Sequence, residues 1–113
     1  MTTDTFDRTA RIRDLNDAFR RTFSGGKVMM TCGVADFDSM RLAVLLDRVR
    51  RFDAFTPDND PHGEHDFGAF DDGGVRFFWK IDCYDTQMEF GSSNAADPDV
   101  TARVLTLMLA DEY

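Results

Sequence analysis

"VRFFWKIDCY", residues 75–84, sets how the rest of the chain is read. Val75, Phe77, Trp79, Ile81 and Cys83 fall on one side of an extended chain, and Arg76, Phe78, Lys80, Asp82 and Tyr84 fall on the other. That period of two marks a strand with one face on a core. Just before it, "DDGG" at Asp71–Gly74 supplies turn chemistry, so residues 66–84 read as a β-hairpin. A hairpin loop of two or four residues puts Asp66 on the apolar face opposite Trp79. A loop of three puts His65 opposite Ile81 and Phe67 opposite Trp79.

Outward from the hairpin, Ile12, Leu15, Phe19 and Phe23 recur at helical steps with arginines between them, which predicts a helix over residues 6–23. Ser24-Gly25-Gly26 follows as a left-handed cap. "SGGK" also ends like a phosphate-binding loop, but "VMMTC" after it reads as a strand over 28–32 instead of a helix. Asp36 or Asp38 then caps a helix from Ser39 to Phe52, with Leu42, Leu45, Leu46, Val49 and Phe52 on one face and Arg48, Arg50 and Arg51 near its negative end.

A further strand is expected around Thr86–Phe90. "DPDVTARVLTLML", residues 97–109, has Asp97 as N-cap, Pro98 at the first helical position and a stripe of Val100, Val104, Leu107 and Met108, which predicts a last helix. The expected order is α-β-α-β-β-(β)-α, an α+β fold with helices packed on a small, mostly antiparallel sheet.

The 113 residues are the size of a single domain, expected over 1–113, and 42% apolar content with eleven phenylalanines is enough for a core. Cys32 and Cys83 both lie in apolar segments and are expected buried and reduced. "MTTDTFDRTAR" has no apolar leader and no run is long enough to cross a bilayer, so a cytoplasmic protein without a membrane partner is expected.

Charge is uneven along the chain. Residues 1–52 hold ten basic and seven acidic side chains, net +3, while 53–113 hold three basic and fourteen acidic, net −11. A polyanion such as nucleic acid is repelled by the second half.

The polar stretch "FTPDNDPHGEHDFGAF", residues 55–70, contains both histidines. Asp58, Asp60, Gly63 and Asp66 match four positions of a calcium loop, but Ala69 stands where the bidentate carboxylate belongs. His62, Asp58, Asp60 and His65 are zinc-type ligands, yet H-x-E-H is not a metalloprotease spacing. His62-x-Glu64 copies the start of a deaminase motif without its cysteine pair, and no G-x-S-x-G elbow surrounds Ser92 or Ser93. Glu64 and Asp66, about 6.5–7 Å apart on one side of an extended chain, could work as paired carboxylates. His62, Glu64, His65 and Asp66 are therefore the candidate catalytic residues of a small metal-dependent or acid/base hydrolase. The other reading is a hydrogen-bonded approach loop held by Asn59 and Thr56.

No cofactor motif is present. The leading expectation is a non-enzymatic binding or regulatory module contacting a basic protein surface, with Asp58, Asp60, Glu64, Asp71 and Asp72 as the contacting carboxylates. A homodimer joining a basic helix face to the acidic loop is compatible with the same asymmetry.

"TPDNDPHGEHDFG", "RFFWKIDCYD" and "ADPDVTARVLTLMLADEY" resemble a family of small bacterial proteins, largely alphaproteobacterial, known as domain of unknown function 3768. The similarity spans roughly residues 10–113. The resemblance implies no activity or cofactor. It places any role of the recurrent block on His62, Glu64, His65 and Asp66, and its association with mobile genes implies an acidic inhibitor that mimics nucleic-acid charge.

Overall fold

The computed structural model describes residues 2–113 as three helices and a four-stranded sheet. α1 spans Thr2–Thr22, β1 Gly26–Met30, α2 Cys32–Ala35, α3 Ser39–Arg50, β2 Phe67–Asp72, β3 Val75–Tyr84 and β4 Ala102–Leu109. The strand order is β1-β4-β3-β2; β2–β3 and β3–β4 are antiparallel, and β1 runs parallel to β4. The architecture is the α+β type expected from the sequence.

One face of the sheet carries the core. Phe77, Trp79, Leu105 and Leu107 pack there against Phe19 of α1, Val34 of α2 and Leu45 and Val49 of α3, all buried. Each such side chain contributes about 1.5–3 kcal/mol by leaving water. α1 stops where Phe23 takes a left-handed backbone, φ 56°, one residue before the predicted Ser24-Gly25-Gly26 cap. At the start of α3, the Asp38 carboxylate accepts the Arg41 N–H at 2.8 Å, as an N-cap should.

The largest departure from expectation is residues 97–109. The start signal is real but serves a single 3-10 turn, Pro98–Val100, in which Asp97 Oδ1 accepts the Asp99 N–H at 2.9 Å. Thr101 is extended, and the following residues form β4, a central strand instead of a helix. β4 lies between β1 and β3, with buried residues on both faces: Arg103, Leu105 and Leu107 on one and Val104 and Met108 on the other. Such a strand reads as a continuous apolar run, which a helical period also fits.

Two smaller departures follow from local bonding. Residues 86–90 form a turn that returns to β3 only through a single bridge, Tyr84 to Gly91, with Met88 at φ 61°. Cys32 begins α2, just past the last β1–β4 bond from the Thr31 N–H to Leu107 O, and is exposed where it was expected buried; Cys83 is half-buried, and both thiols are free.

Gly73 and Gly74, both at positive φ, make a two-residue hairpin loop that pairs Asp72 with Val75. Gly68, and neither Asp66 nor Phe67, then faces Trp79. A Cβ at Gly68 would stand 2.4 Å from Trp79 Nε1, so a bare backbone is required there.

Candidate functional site

The segment between α3 and β2 is fixed by its own polar groups. Asn59 Oδ1 accepts the Thr56 N–H at 2.9 Å, Thr56 Oγ1 accepts the Asn59 N–H, and Asn59 Nδ2 donates to Ala54 O at 2.9 Å. Asp60 turns inward, its side chain 6% exposed, and accepts the His65 N–H at 3.2 Å. These bonds hold His65 at φ 54°, a left-handed conformation disfavoured for a residue bearing a Cβ.

That backbone aims the His65 ring at α1. Nδ1 lies 2.9 and 3.1 Å from the two Asp17 carboxylate oxygens, Nε2 lies 3.6 Å from Asp60 Oδ2, and the ring stacks on Phe55 at 3.7 Å. Asp17 is in turn bound by Arg20 at 3.0 Å. Arg20 is fully buried and donates through Nη1 to the carbonyls of Val49, Arg50 and Phe52, at and just past the end of α3. Its guanidinium also lies over Phe55 and Trp79, 5.5 and 5.3 Å from the ring centroids. The loop, α1 and α3 thus meet at one charged node.

The remaining predicted site residues are dispersed. His62 lines a cleft of about 650 Å³ between α1 and the loop, together with Thr9, Arg13 and Thr56. Among the described residues, no three His, Cys, Asp or Glu side chains form a group able to hold a metal ion. Glu64 is tied through its carbonyl to Asn16 Nδ2 at 2.9 Å, and Asp66 through its carbonyl to the Ile81 N–H at 2.8 Å. Burial first, then neighbouring carboxylates, pushes the Glu64 carboxyl above its usual range. Burial likewise raises that of Asp66, against a hydrogen bond from its own backbone N–H. Asp58 is exposed.

Asp71 and Asp72 lie at the far end of β2, about 20 Å along a six-residue strand from the loop. Asp72 is held by Arg41 at 2.9 Å and Arg48 at 3.1 Å, and Asp71 by Arg76 at 3.3 Å. The five carboxylates expected to form one contact surface therefore occupy two separate places, and three are occupied with internal partners.

Sequence reasoning missed Asn16, Asp17 and Arg20. Their signal was position: with Ile12 and Phe19 they share one arc of α1, and polar residues inside an apolar arc need partners.

Among the described residues no α-helix packs on the second face of the sheet, which is bordered by the C-terminal 3-10 turn Ala110–Glu112 and by Tyr113. Phe67, Phe78 and Tyr113 form an aromatic cluster there with centroids 5.2–6.0 Å apart. Beside it lies a cleft of about 630 Å³ bordered by Met29, Tyr84, Met88, Met108 and the acidic Asp82 and Glu112. Lys80 is paired with Asp82 at 2.9 Å. Glu112 accepts only from neutral groups, the Thr31 hydroxyl at 2.5 Å and the Gly33 and Leu109 N–H groups, and these hold its carboxyl below the usual range. Among the described residues no helix is long and apolar enough to cross a membrane.

No curated protein and no solved structure gives a match to this chain. The family model that matches covers residues 30–112, taking in the 55–70 loop and the sheet from β2 onward but not α1 with its Asp17 and Arg20. On that match the chain belongs to the family described as Protein of unknown function (DUF3768).

Proposed function

We propose that the protein is a non-enzymatic binding module that holds a basic protein segment against the uncovered face of its sheet. The observation that carries this reading is the pairing of a methionine- and aromatic-lined cleft with carboxylates, on a sheet whose β2, β3 and β4 come from the half of the chain with net charge −11. Methionine side chains adapt to varied partners, and the surrounding negative field favours lysine- and arginine-bearing ones. An inhibitor that presents carboxylates in place of phosphates would use the same surface.

The test is a backbone-amide NMR titration with a peptide alternating lysine and valine and a control alternating glutamate and valine. The lysine peptide should move amides of β3 and β4, and its affinity should fall between about 50 and about 300 mM salt. An equal response to both peptides, or shifts confined to residues 57–66, would refute the reading.

A second reading rests on the Asp17–His65 contact beside the cleft that also holds His62. An imidazole oriented by a carboxylate is the working part of an acid/base site. Two features count against it: Nε2 faces Asp60, and no serine, threonine or cysteine is hydrogen-bonded to His65 among the described residues. Hydrolysis of a panel of carboxylate and phosphate esters, abolished by both His65→Gln and His62→Ala, would favour the enzyme; turnover indifferent to both would remove it.

A further inference from the structure

Arg103 stands on β4 opposite Cys83, and it is only 5% exposed. Its Nε donates to Asn16 Oδ1 at 2.8 Å and its Nη2 to Ala95 O at 2.6 Å, both neutral acceptors. Among the described residues it is in no ion pair, and Nη1, which is not among the buried atoms left without a partner, makes no hydrogen bond within the protein and keeps contact with solvent. Burial pulls its pKa down from the usual arginine value, while Cys83 and Glu64 favour the charged form. Glu64 acts on Arg103 through the field only, since no hydrogen bond or ion pair joins the two side chains. A largely buried guanidinium held in no ion pair keeps a desolvation cost that an external anion would offset. Hydrogen bonds to neutral oxygens satisfy its geometry and leave its charge open.

Two more arginines reach the same strip of chain. Arg8 Nε donates to Asn94 Oδ1 at 3.3 Å and Arg11 Nε to Ala96 O at 3.4 Å, so three guanidinium groups converge on three successive residues. Arg11, Leu15, Ala18 and Thr22 follow one another at steps of four, three and four along a single face of α1. The last three line one side of a groove of about 410 Å³, with Pro98, Thr101 and Arg103 among the residues on the other.

We propose that this groove is an oxyanion site, in which a phosphate or carboxylate group of a small molecule binds Arg103, with Arg11 and Arg8, one and two turns along α1 from Leu15, adding positive charge beside it. Guanidinium groups bind such oxyanions through charge-assisted hydrogen bonds. The ligand is small because the groove is, and because the net charge of −8 repels a long polyanion. The site is separate from the uncovered sheet face and stands or falls independently of it.

The experiment titrates the intact protein with inorganic phosphate, and separately with succinate, at ionic strength held constant with sodium chloride. NMR follows the Arg103 Nε–H resonance. A saturable shift with one of the two anions is expected, and identifies the group as phosphoryl or carboxylate. Arg11→Gln, an exposed substitution, should weaken that binding roughly 3–10-fold with the fold intact. The proposal is overturned if the Arg103 resonance stays still, if it drifts linearly as those of exposed Arg51 and Arg76 do, or if Arg11→Gln binds as the parent does. Thermal melts of Arg103→Met supply a further readout: the stabilisation that the anion gives the parent should vanish in this variant, and its persistence counts against the site.

Discussion

Arg20 and Arg103 are both buried, and their surroundings assign them opposite jobs. Arg20 is closed inside the protein: three carbonyls at the end of α3, the Asp17 carboxylate and two aromatic faces surround it, and only Nε lacks a partner. Arg103 has two neutral oxygens and a groove. Burial alone thus does not separate a structural charge from a functional one. What separates them is whether the counter-charge lies within the chain.

The sharpest way to break that contrast is to remove each guanidinium and compare. Arg20→Ala strips the partners from Asp17 and from the last carbonyls of α3, and should cost about 3–5 kcal/mol in urea unfolding. Arg103→Met leaves no carboxylate behind and should cost no more than about 1–2 kcal/mol. Equal losses would mean that Arg103 is as structural as Arg20.

The contrast also shows what the sequence carried. α1, α3 and the β2–β3 hairpin were legible because each has a single buried face, so that period and burial agree. Arg20 was passed over because arginines between apolar positions read as a solvent face, whereas here the long side chain crosses to the end of a neighbouring helix 29 to 32 residues away in sequence. Arg103 was hidden within a misassigned element, since Val100, Val104, Leu107 and Met108 fit a helix and only pairing with both β1 and β3 makes the segment a strand. The polar loop was legible as a hydrogen-bonded unit through Asn59 and Thr56. Its link to Asp17 was not, because a contact between positions 48 apart leaves no local trace.

Packing around Arg20 offers a second, smaller test. Trp79 lies under its guanidinium, and Gly68 leaves room for the indole. Gly68→Ala would bring a Cβ to 2.4 Å from Trp79 Nε1 and 2.8 Å from Phe52 Cζ, so the ring must shift away from Arg20. A loss of about 1–3 kcal/mol is expected, with a changed tryptophan fluorescence. An unchanged spectrum would mean that the node tolerates displacement and is looser than its contacts imply.

Asp66 probes the converse case, a half-buried carboxyl with no cation bonded to it among the described residues. Burial raises its pKa above the ordinary 3.8, so between that value and the raised one the folded state holds more protons than the unfolded. Stability therefore falls as pH rises through this window. Asp66→Asn should flatten that part of the stability profile and leave the protein slightly more stable near neutrality. A profile with an unaltered slope would mean that Asp66 is better solvated than its position implies.

Glu112 sets the limit of the comparison, because like Arg103 it has only neutral partners, yet it lies at the surface. Water supplies the rest of its solvation, so neutral donors suffice and no external counter-ion is needed. All three partners are donors, and Glu112→Gln offers them one carbonyl oxygen and an NH2 that repels the rest. Because the folded carboxyl has its pKa lowered, its contribution is present above the ordinary value of 4.5 and is lost as pH falls through the folded value. The variant should melt slightly below the parent at neutral pH, and the two should converge in acid. A gap that persists in acid would trace the loss to packing at the junction of β1, α2 and β4. A charge surrounded by neutral partners would then be unremarkable at the surface and demanding only where, as at Arg103, most of the side chain is buried.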